Sequence, residues 1–148
     1  MEIKFKHFSE LSNEELYGLL RLRAEVFVVE QNCNYLDMDN LDQKAIHVMG
    51  TVDGQIVATT RILAAGDSFI GYASIGRIAT SPNHRAKGMG KEIVRESLKK
   101  LYELYGKSCP VKIGAQAYLL KFYQSFGFVS TGHHYLEDDI PHVIMVKE

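Results

Sequence analysis

The six residues Arg85-Ala86-Lys87-Gly88-Met89-Gly90 constrain this chain more than any other segment, because of what flanks them. Upstream, Ala73 to Thr80 (ASIGRIAT) reads as a buried strand, and Ser81-Pro82-Asn83-His84 as the turn that ends it. Downstream, Lys91 to Tyr105 reads as an amphipathic helix. Ile93, Val94, Leu98, Leu101 and Tyr105 share one face, while Lys91, Arg95, Lys99 and Lys100 lie mainly elsewhere. A strand, a glycine loop and a helix start make a place to hold phosphate. The first N–H groups of a helix have no helical partner, and the helix dipole is positive there. Glycines let the backbone approach an anion closely. Two familiar phosphate loops do not fit. The nucleotide-triphosphate loop needs Gly-x4-Gly-Lys-Ser/Thr, and no such run exists. The dinucleotide loop needs three glycines and an acidic residue about 20 positions later; Gly88 and Gly90 stand alone, with Arg85 upstream.

The remaining bounds are set by size and charge. The 148 residues suit one domain over 1–148, large enough to bury its own core. A formal net charge of −1 implies no general affinity for nucleic acid or membranes. No apolar run approaches the length of a membrane span, and no basic-then-apolar leader is visible. Cys33 and Cys109 lack CxxC spacing, so a cytoplasmic location with reduced thiols is expected. Asp37, Asp39, Asp42, His47, His133, His134, Glu137 and His142 match no zinc or calcium spacing, so no metal is expected.

Local patterns fill in the order of elements. Ile3 to Phe8 alternates as a half-buried strand. Ser12-Asn13-Glu14-Glu15 fits a capping box, and Leu16, Leu19, Leu20, Arg23, Val26 and Phe27 follow at helical spacing to a break near Gln31. Ala45–Thr51 and Gln55–Leu63 flank Asp53-Gly54, a hairpin signal. Val111–Ala115 reads as a strand, Gln116–Phe126 as a helix, and Phe128–Tyr135 with His142–Val146 as a strand pair around a loop Leu136–Pro141. Two strand–helix–strand passages predict parallel neighbours, and the hairpins predict antiparallel ones. The expected fold class is α/β: a mixed, mostly antiparallel central sheet with helices on both faces. Gly76 inside the central strand marks either a bulge or a relief of packing.

The Arg85-x-x-Gly88-x-Gly90 spacing after a strand resembles the coenzyme A pyrophosphate loop of the GCN5-related N-acetyltransferases, and the element order resembles their acyl-CoA N-acyltransferase fold over nearly the whole chain. Phe122-Tyr123-x-x-Phe126-Gly127-Phe128 matches an ending common in that family. Leu22 to Gln31, followed by Cys33, Tyr35, Asp39, Asp42 and His47, together with Tyr135 to His142, is similar to the ElaA-like subgroup. That subgroup usually has Gly where this chain has Asp139, which leaves the turn open. The Leu22-Arg23-x-x-Val26-Phe27 stretch also resembles acyl-homoserine lactone synthases, but those are typically longer, and the aromatic ending argues against them.

The resemblance implies acetyl-CoA as co-substrate. Ile78, Ala79 and Thr80 would bond the pantetheine arm through backbone groups, in a gap where the bulged strand splays from the next. Arg85, Ala86, Lys87, Gly88, Met89, Gly90 and Lys91 would hold the phosphates. The Ile78 N–H would face the thioester oxygen. Tyr123 would protonate the leaving thiolate; by itself a helix tyrosine is equally a core aromatic. Many relatives carry a basic glutamate on the central strand, and Ser74–Thr80 contains no carboxylate. Glu30, His47, Glu137 and His142 are the candidates for the base. The acidic segments Asp37–Asp42 and Glu137–Asp139, if both border the acceptor pocket, predict a small cationic amine as partner. The other reading is a non-catalytic coenzyme A-binding or interaction module. A symmetric homodimer is the default assembly.

Overall fold

The structure, a computed structural model, describes residues 1–148. Strand β1 (Glu2–His7) pairs antiparallel with β2 (Ile46–Val52), from Glu2 opposite Thr51 to His7 opposite Ile46. Helix α1 (Asn13–Arg23) begins at the predicted capping box. Ser12 Oγ accepts the Glu15 N–H at 3.0 Å, and the Glu15 carboxylate accepts the Ser12 N–H at 2.9 Å. The helix continues as a π-helical stretch, Ala24–Glu30, and stops at Gln31 as the pattern predicted.

Strands β2 and β3 (Gln55–Leu63) are joined by Asp53-Gly54 with φ of 51° and 78°, the left-handed pair that a two-residue hairpin requires. Strand β4 (Ser74–Thr80) completes an antiparallel sheet of order β1-β2-β3-β4. Helix α2 (Met89–Tyr105) ends at Gly106, φ 98°. Strands β5 (Val111–Gln116), β6 (Val129–Glu137) and β7 (Ile140–Lys147) form a second antiparallel sheet of order β5-β7-β6.

The predicted parallel neighbours are mostly absent. Strand β7 takes the place beside β5, so β5 and β6 never touch as a pair. Strands β4 and β5 meet only at one parallel bridge, Ala73 to Val111, and pair no further. The predicted helix Gln116–Phe126 is shorter than its pattern. Gln116 belongs to β5, Ala117–Leu119 is a 3₁₀ turn, and only Leu120–Gln124 is α-helix, α3. The predicted loop Leu136–Pro141 shrinks to Asp138-Asp139, at φ 49° and 64°. Aspartate tolerates this conformation because its short side chain can bond locally.

Helices cover both faces of the first sheet. On one, α2 buries Ile93, Val94, Leu98 and Leu101 against Val48, Ala58, Ile62 and Ile75, and against Val111, Ile113, Val143 and Met145 of the second sheet. Each fully buried side chain contributes roughly 1.5–3 kcal/mol, and Leu101→Ala would cost ~2–5 kcal/mol as a core cavity. Ser97 Oγ reaches Thr60 Oγ1 at 2.6 Å and the Ile93 carbonyl at 2.6 Å, so the polar atoms under this helix are satisfied. On the other face, Leu22 and Val26 pack on Ala79. No helix is long and apolar enough to cross a membrane.

Strand β4 carries the bulge. Thr59 faces Ala79 and Arg61 faces Gly76, so Thr60 alone opposes Arg77 and Ile78. The residue in left-handed conformation is Arg77, φ 50°, next to the predicted Gly76. No atom lies within 4 Å of where a Gly76 Cβ would stand, so packing relief is not its role.

Candidate functional site

The separation of β4 from β5 beyond Ala73 opens a cleft of about 790 Å³. Of the residues proposed to hold the donor, Ile78, Ala79, Thr80, Arg85, Ala86, Gly88, Met89, Gly90 and Lys91 line it; Lys87 does not. Glu30, Tyr123, Glu137 and His142 line it too, although they come from the π-helical stretch, α3, β6 and β7. His47 is not there. It is 1% exposed, and Nε2 contacts the Asp42 carbonyl at 2.9 Å. Burial holds its pKa below the ordinary value.

The loop suits an anion. Ala86 and Gly88 are left-handed, φ 65° and 75°, and Gly88 is the N-cap of α2 with no side chain to cap it. The N–H groups of the first turn are therefore left to the cleft, where the dipole is positive. Open space surrounds the Gly88 Cα where a Cβ would stand.

Arg85 is already engaged. Its Nη1 and Nη2 donate to the two Glu30 carboxylate oxygens, and Nη2 also donates to the Thr80 carbonyl at 3.2 Å. The Arg85 hydrogen bond lowers the Glu30 pKa, outweighing burial, which raises it. A carboxylate so held is a weak base.

Tyr123 is 7% exposed, and its ring meets Phe122 edge-on at 5.2 Å and Phe128 at 6.2 Å. Burial pushes its phenol well above the ordinary value, so at neutral pH it carries a proton.

At the second sheet, Gln116 of β5, His142 of β7 and Tyr135 of β6 are directly opposite one another across the strands. The His142 ring stacks on Tyr135 at 5.3 Å. His142 Nδ1 lies 2.7 Å from the Ile140 carbonyl, which can only accept, so Nδ1 carries a hydrogen and, in the neutral ring, Nε2 is the nitrogen with the lone pair. Nε2 is 3.5 Å from Glu137 Oε2.

The acidic segment after α1 departs from expectation. Arg23, 1% exposed, donates from Nε to Asp37 at 2.7 Å and from Nη1 to Asp42 at 2.8 Å. Arg61 donates to Asp42 at 3.0 Å and to both oxygens of Asp39 at 2.8 and 2.6 Å. Arg77, the bulge residue, donates to the Asp37 carbonyl at 2.9 Å, and its Nε lies 2.8 Å from Asp37 Oδ1 without the alignment of a hydrogen bond. Three guanidinium groups thus neutralise three carboxylates and tie α1, β3 and the β4 bulge together. Burial pushes the Asp39 and Asp42 carboxyls up. Arg61 and Arg77 at Asp39, and Arg23 and Arg61 at Asp42, outweigh it and hold both below the usual range. None of the three aspartates lines the cleft, so the expected attraction of cations by this segment is not supported.

Sequence reasoning did not single out Gln31 and Gln116 as cleft residues, which meet there with each amide 3.4 Å from the other. Both are single polar residues at element ends, and no pattern marks them.

A family model described as an acetyltransferase (GNAT) domain matches residues 8–148. Protein ElaA of Escherichia coli strain K12 is 42% identical over 144 residues, covering 96% of this chain and 93% of that protein. The crystal structure of Escherichia coli ElaA superposes with a TM-score of 0.92 at 40% identity, covering 99% of both chains. An acyl-CoA N-acyltransferase from Pseudomonas aeruginosa gives 0.92 at 39% identity and 100% of both. An aminoglycoside 6′-N-acetyltransferase complexed with coenzyme A shares the fold, with a TM-score of 0.70 at 13% identity over 99% of this chain and 96% of that one.

Proposed function

The chain belongs to the GNAT family of acetyltransferases, and we propose that it moves an acetyl group from acetyl-CoA directly to a primary amine in the cytoplasm. The observation that carries this reading is convergence. Strand β4 at its bulge, the 85–91 loop, Tyr123 and the His142 end of β7 all face one cleft.

The α2 N-terminus and Lys91 hold the pyrophosphate. Arg85 joins them when the phosphate displaces Glu30, since a carboxylate and a phosphate compete for the same donors. The β4 edge at Ile78 to Thr80, unpaired with β5, bonds the pantetheine arm, and the Ile78 N–H faces the thioester oxygen as it gains charge. The acceptor arrives as an ammonium and loses one proton to solvent. As its nitrogen forms a bond to the thioester carbon, His142 Nε2 takes a second proton, directly or through one water. The carbon–sulfur bond breaks, the sulfur leaves with the electron pair, and Tyr123 gives it a proton. His142 then discharges to solvent and Tyr123 recovers its proton from water. Ammonium and thioester have become amide, thiol and one free proton. Because the amine must be deprotonated, activity rises with pH through the neutral range.

The acceptor we propose is a small cationic amine, such as a polyamine, an aminosugar or a lysine-like amine. Glu137 and Asp138 at the cleft, with Asp139 beside them, support this choice. Coenzyme A release from acetyl-CoA, measured over an amine panel, tests the reading. Turnover with at least one amine is expected, and binding of acetyl-CoA with no turnover on any would leave only a donor-binding module. Tyr123→Phe is expected to lower kcat by ~10²- to 10⁴-fold with little change in acetyl-CoA affinity. A loss below about threefold, with chemistry shown to limit turnover, would return Tyr123 to the core.

A further inference from the structure

The two glutamines at the cleft form a reciprocal amide pair. Gln31 Nε2 donates to Gln116 Oε1 and Gln116 Nε2 donates to Gln31 Oε1, each at 3.4 Å. Gln31 caps the π-helical stretch and Gln116 ends β5, so the pair bridges the splayed mouth between the two sheets. Both side chains are half-buried. A separation of 3.4 Å is at the long limit for an amide bond, so little is lost when a better-placed partner replaces it. Whatever replaces it must offer both an acceptor and a donor, or it leaves half-buried amide groups unpaired. Opening the pair frees two donors and two acceptors; a secondary amide, with its C=O and N–H on opposite sides, takes one of each, and water at the cleft mouth takes the others. Gln116 also stands directly opposite His142, and such cross-strand neighbours place their Cβ atoms ~4.5–5.5 Å apart. Both side chains leave the sheet on the same face and line the cleft, so an amine delivered to His142 Nε2 shares it with the amide pair.

Building on the acetyl-transfer reading, we propose that Gln31 and Gln116 select the acceptor. They recognise a peptide-like amide beside the reacting amine, so the acceptor class is an aminoacyl amide or a peptide N-terminus. The glutamines exchange their mutual bonds for the carbonyl and N–H of that group. This narrows the cationic amines proposed above: an aminoacyl amide is itself a cationic amine that opens the pair, whereas a polyamine offers donors only and leaves it closed. The donor's pantetheine arm also carries amides, but the free backbone of β4 is placed to meet those.

Three acceptors and two variants test this. Alanine N-methylamide and alanine methyl ester are α-amines of similar basicity that differ at one atom, N–H against O, and spermidine is the third. The native enzyme is expected to prefer the amide to the ester by at least about tenfold in kcat/KM. In Gln116→Leu and in Gln31→Met that ratio should fall toward one. Calorimetric titration with acetyl-CoA of the same variants reports on their folding and on the donor side. Equal rates with amide and ester in the native enzyme would overturn the inference, as would turnover of spermidine alone; both leave acetyl transfer standing. Weakened acetyl-CoA binding with an unchanged amide-to-ester ratio would assign the pair to the donor instead. No turnover with any of the three, despite acetyl-CoA binding, would also overturn the inference, and the wider amine panel then decides acetyl transfer itself.

Discussion

Two acidic segments of this chain look alike in sequence and meet opposite fates. Asp37, Asp39 and Asp42 follow the first helix; Glu137, Asp138 and Asp139 close the last hairpin. The first set is paired with Arg23, Arg61 and Arg77, and Asp37 and Asp42 are each only 6% exposed. The second set has no arginine or lysine partner within ion-pairing distance, and Glu137 meets only His142. Its charge is felt by neighbours: the Cys33 thiol is pushed up by burial and then by Asp138 and Asp139. Identical chemistry is thus structural where guanidinium groups converge on it and electrostatically open where none do. A count of carboxylates near a pocket says nothing about its field until their partners are known.

The largest effect should come from breaking the closed cluster. Asp42→Ala leaves the buried Arg23 and Arg61 without a shared partner. Removing one member of a buried ion pair costs ~3–5 kcal/mol, or a fall in Tm of roughly 10 °C for a domain of this size. Urea unfolding measures it, and a loss under about 1 kcal/mol would show that the cluster is not load-sharing. The same cluster sets the acid limit. Asp39 and Asp42 are held below the usual carboxylate range, so their stabilisation is present above about pH 4 and is lost as pH falls through the folded-state values. Stability should begin to fall near pH ~6, as the unfolded chain takes up a proton that the buried His47 ring resists, and should fall more steeply below about pH 4 as Asp39 and Asp42 are protonated. A profile flat from about pH 7 to 5 would show that His47 is not held neutral by burial.

The open segment should act on encounter rather than on folding. With a cationic acceptor at low salt, Asp138→Asn with Asp139→Asn should lower kcat/KM by roughly two- to fivefold, an effect that fades as ionic strength rises. Asp39→Asn, in the closed cluster, should leave that salt dependence intact. An unaltered salt dependence in the hairpin variant would remove the reason for preferring a cationic acceptor. Glu30 is the intermediate case, a carboxylate whose partner the ligand can take away. Glu30→Gln should tighten acetyl-CoA binding by about two- to fivefold, because the phosphate no longer competes with a carboxylate for Arg85. Weaker binding would mean that Glu30 orients Arg85 instead. The smallest effect is the stability change of the hairpin variant, expected within about 0.5 kcal/mol because both side chains are exposed.

The local grammar of the chain was legible wherever a residue's conformation is its own business. Ser12 caps because its side chain reaches its own helix, Asp53-Gly54 turns because both residues accept positive φ, and Gly88 takes positive φ in the loop before α2, although that helix starts at Met89 and not at the expected Lys91. Legibility failed where a distant neighbour decides. The pattern of Gln116–Phe126 looks helical throughout, yet β7 claims Gln116 as a strand partner. The bulge sets Arg77 at positive φ, and its guanidinium docks on Asp37, a contact over 40 positions that no window of sequence displays.

By itself, then, the sequence determined the order of strands and helices, the 85–90 glycine loop with its positive-φ Gly88, and the aromatic run that carries Tyr123. These depend on backbone preferences and hydrophobic period, which act over a few residues. Only the tertiary structure decided which carboxylates are neutralised and which His142 nitrogen keeps its lone pair. It alone placed Gln31 against Gln116, and it alone parted β4 from β5 to leave a cleft. Coulomb attraction and hydrogen bonding depend on separation in space, and only the folded chain sets the distances between residues far apart along it.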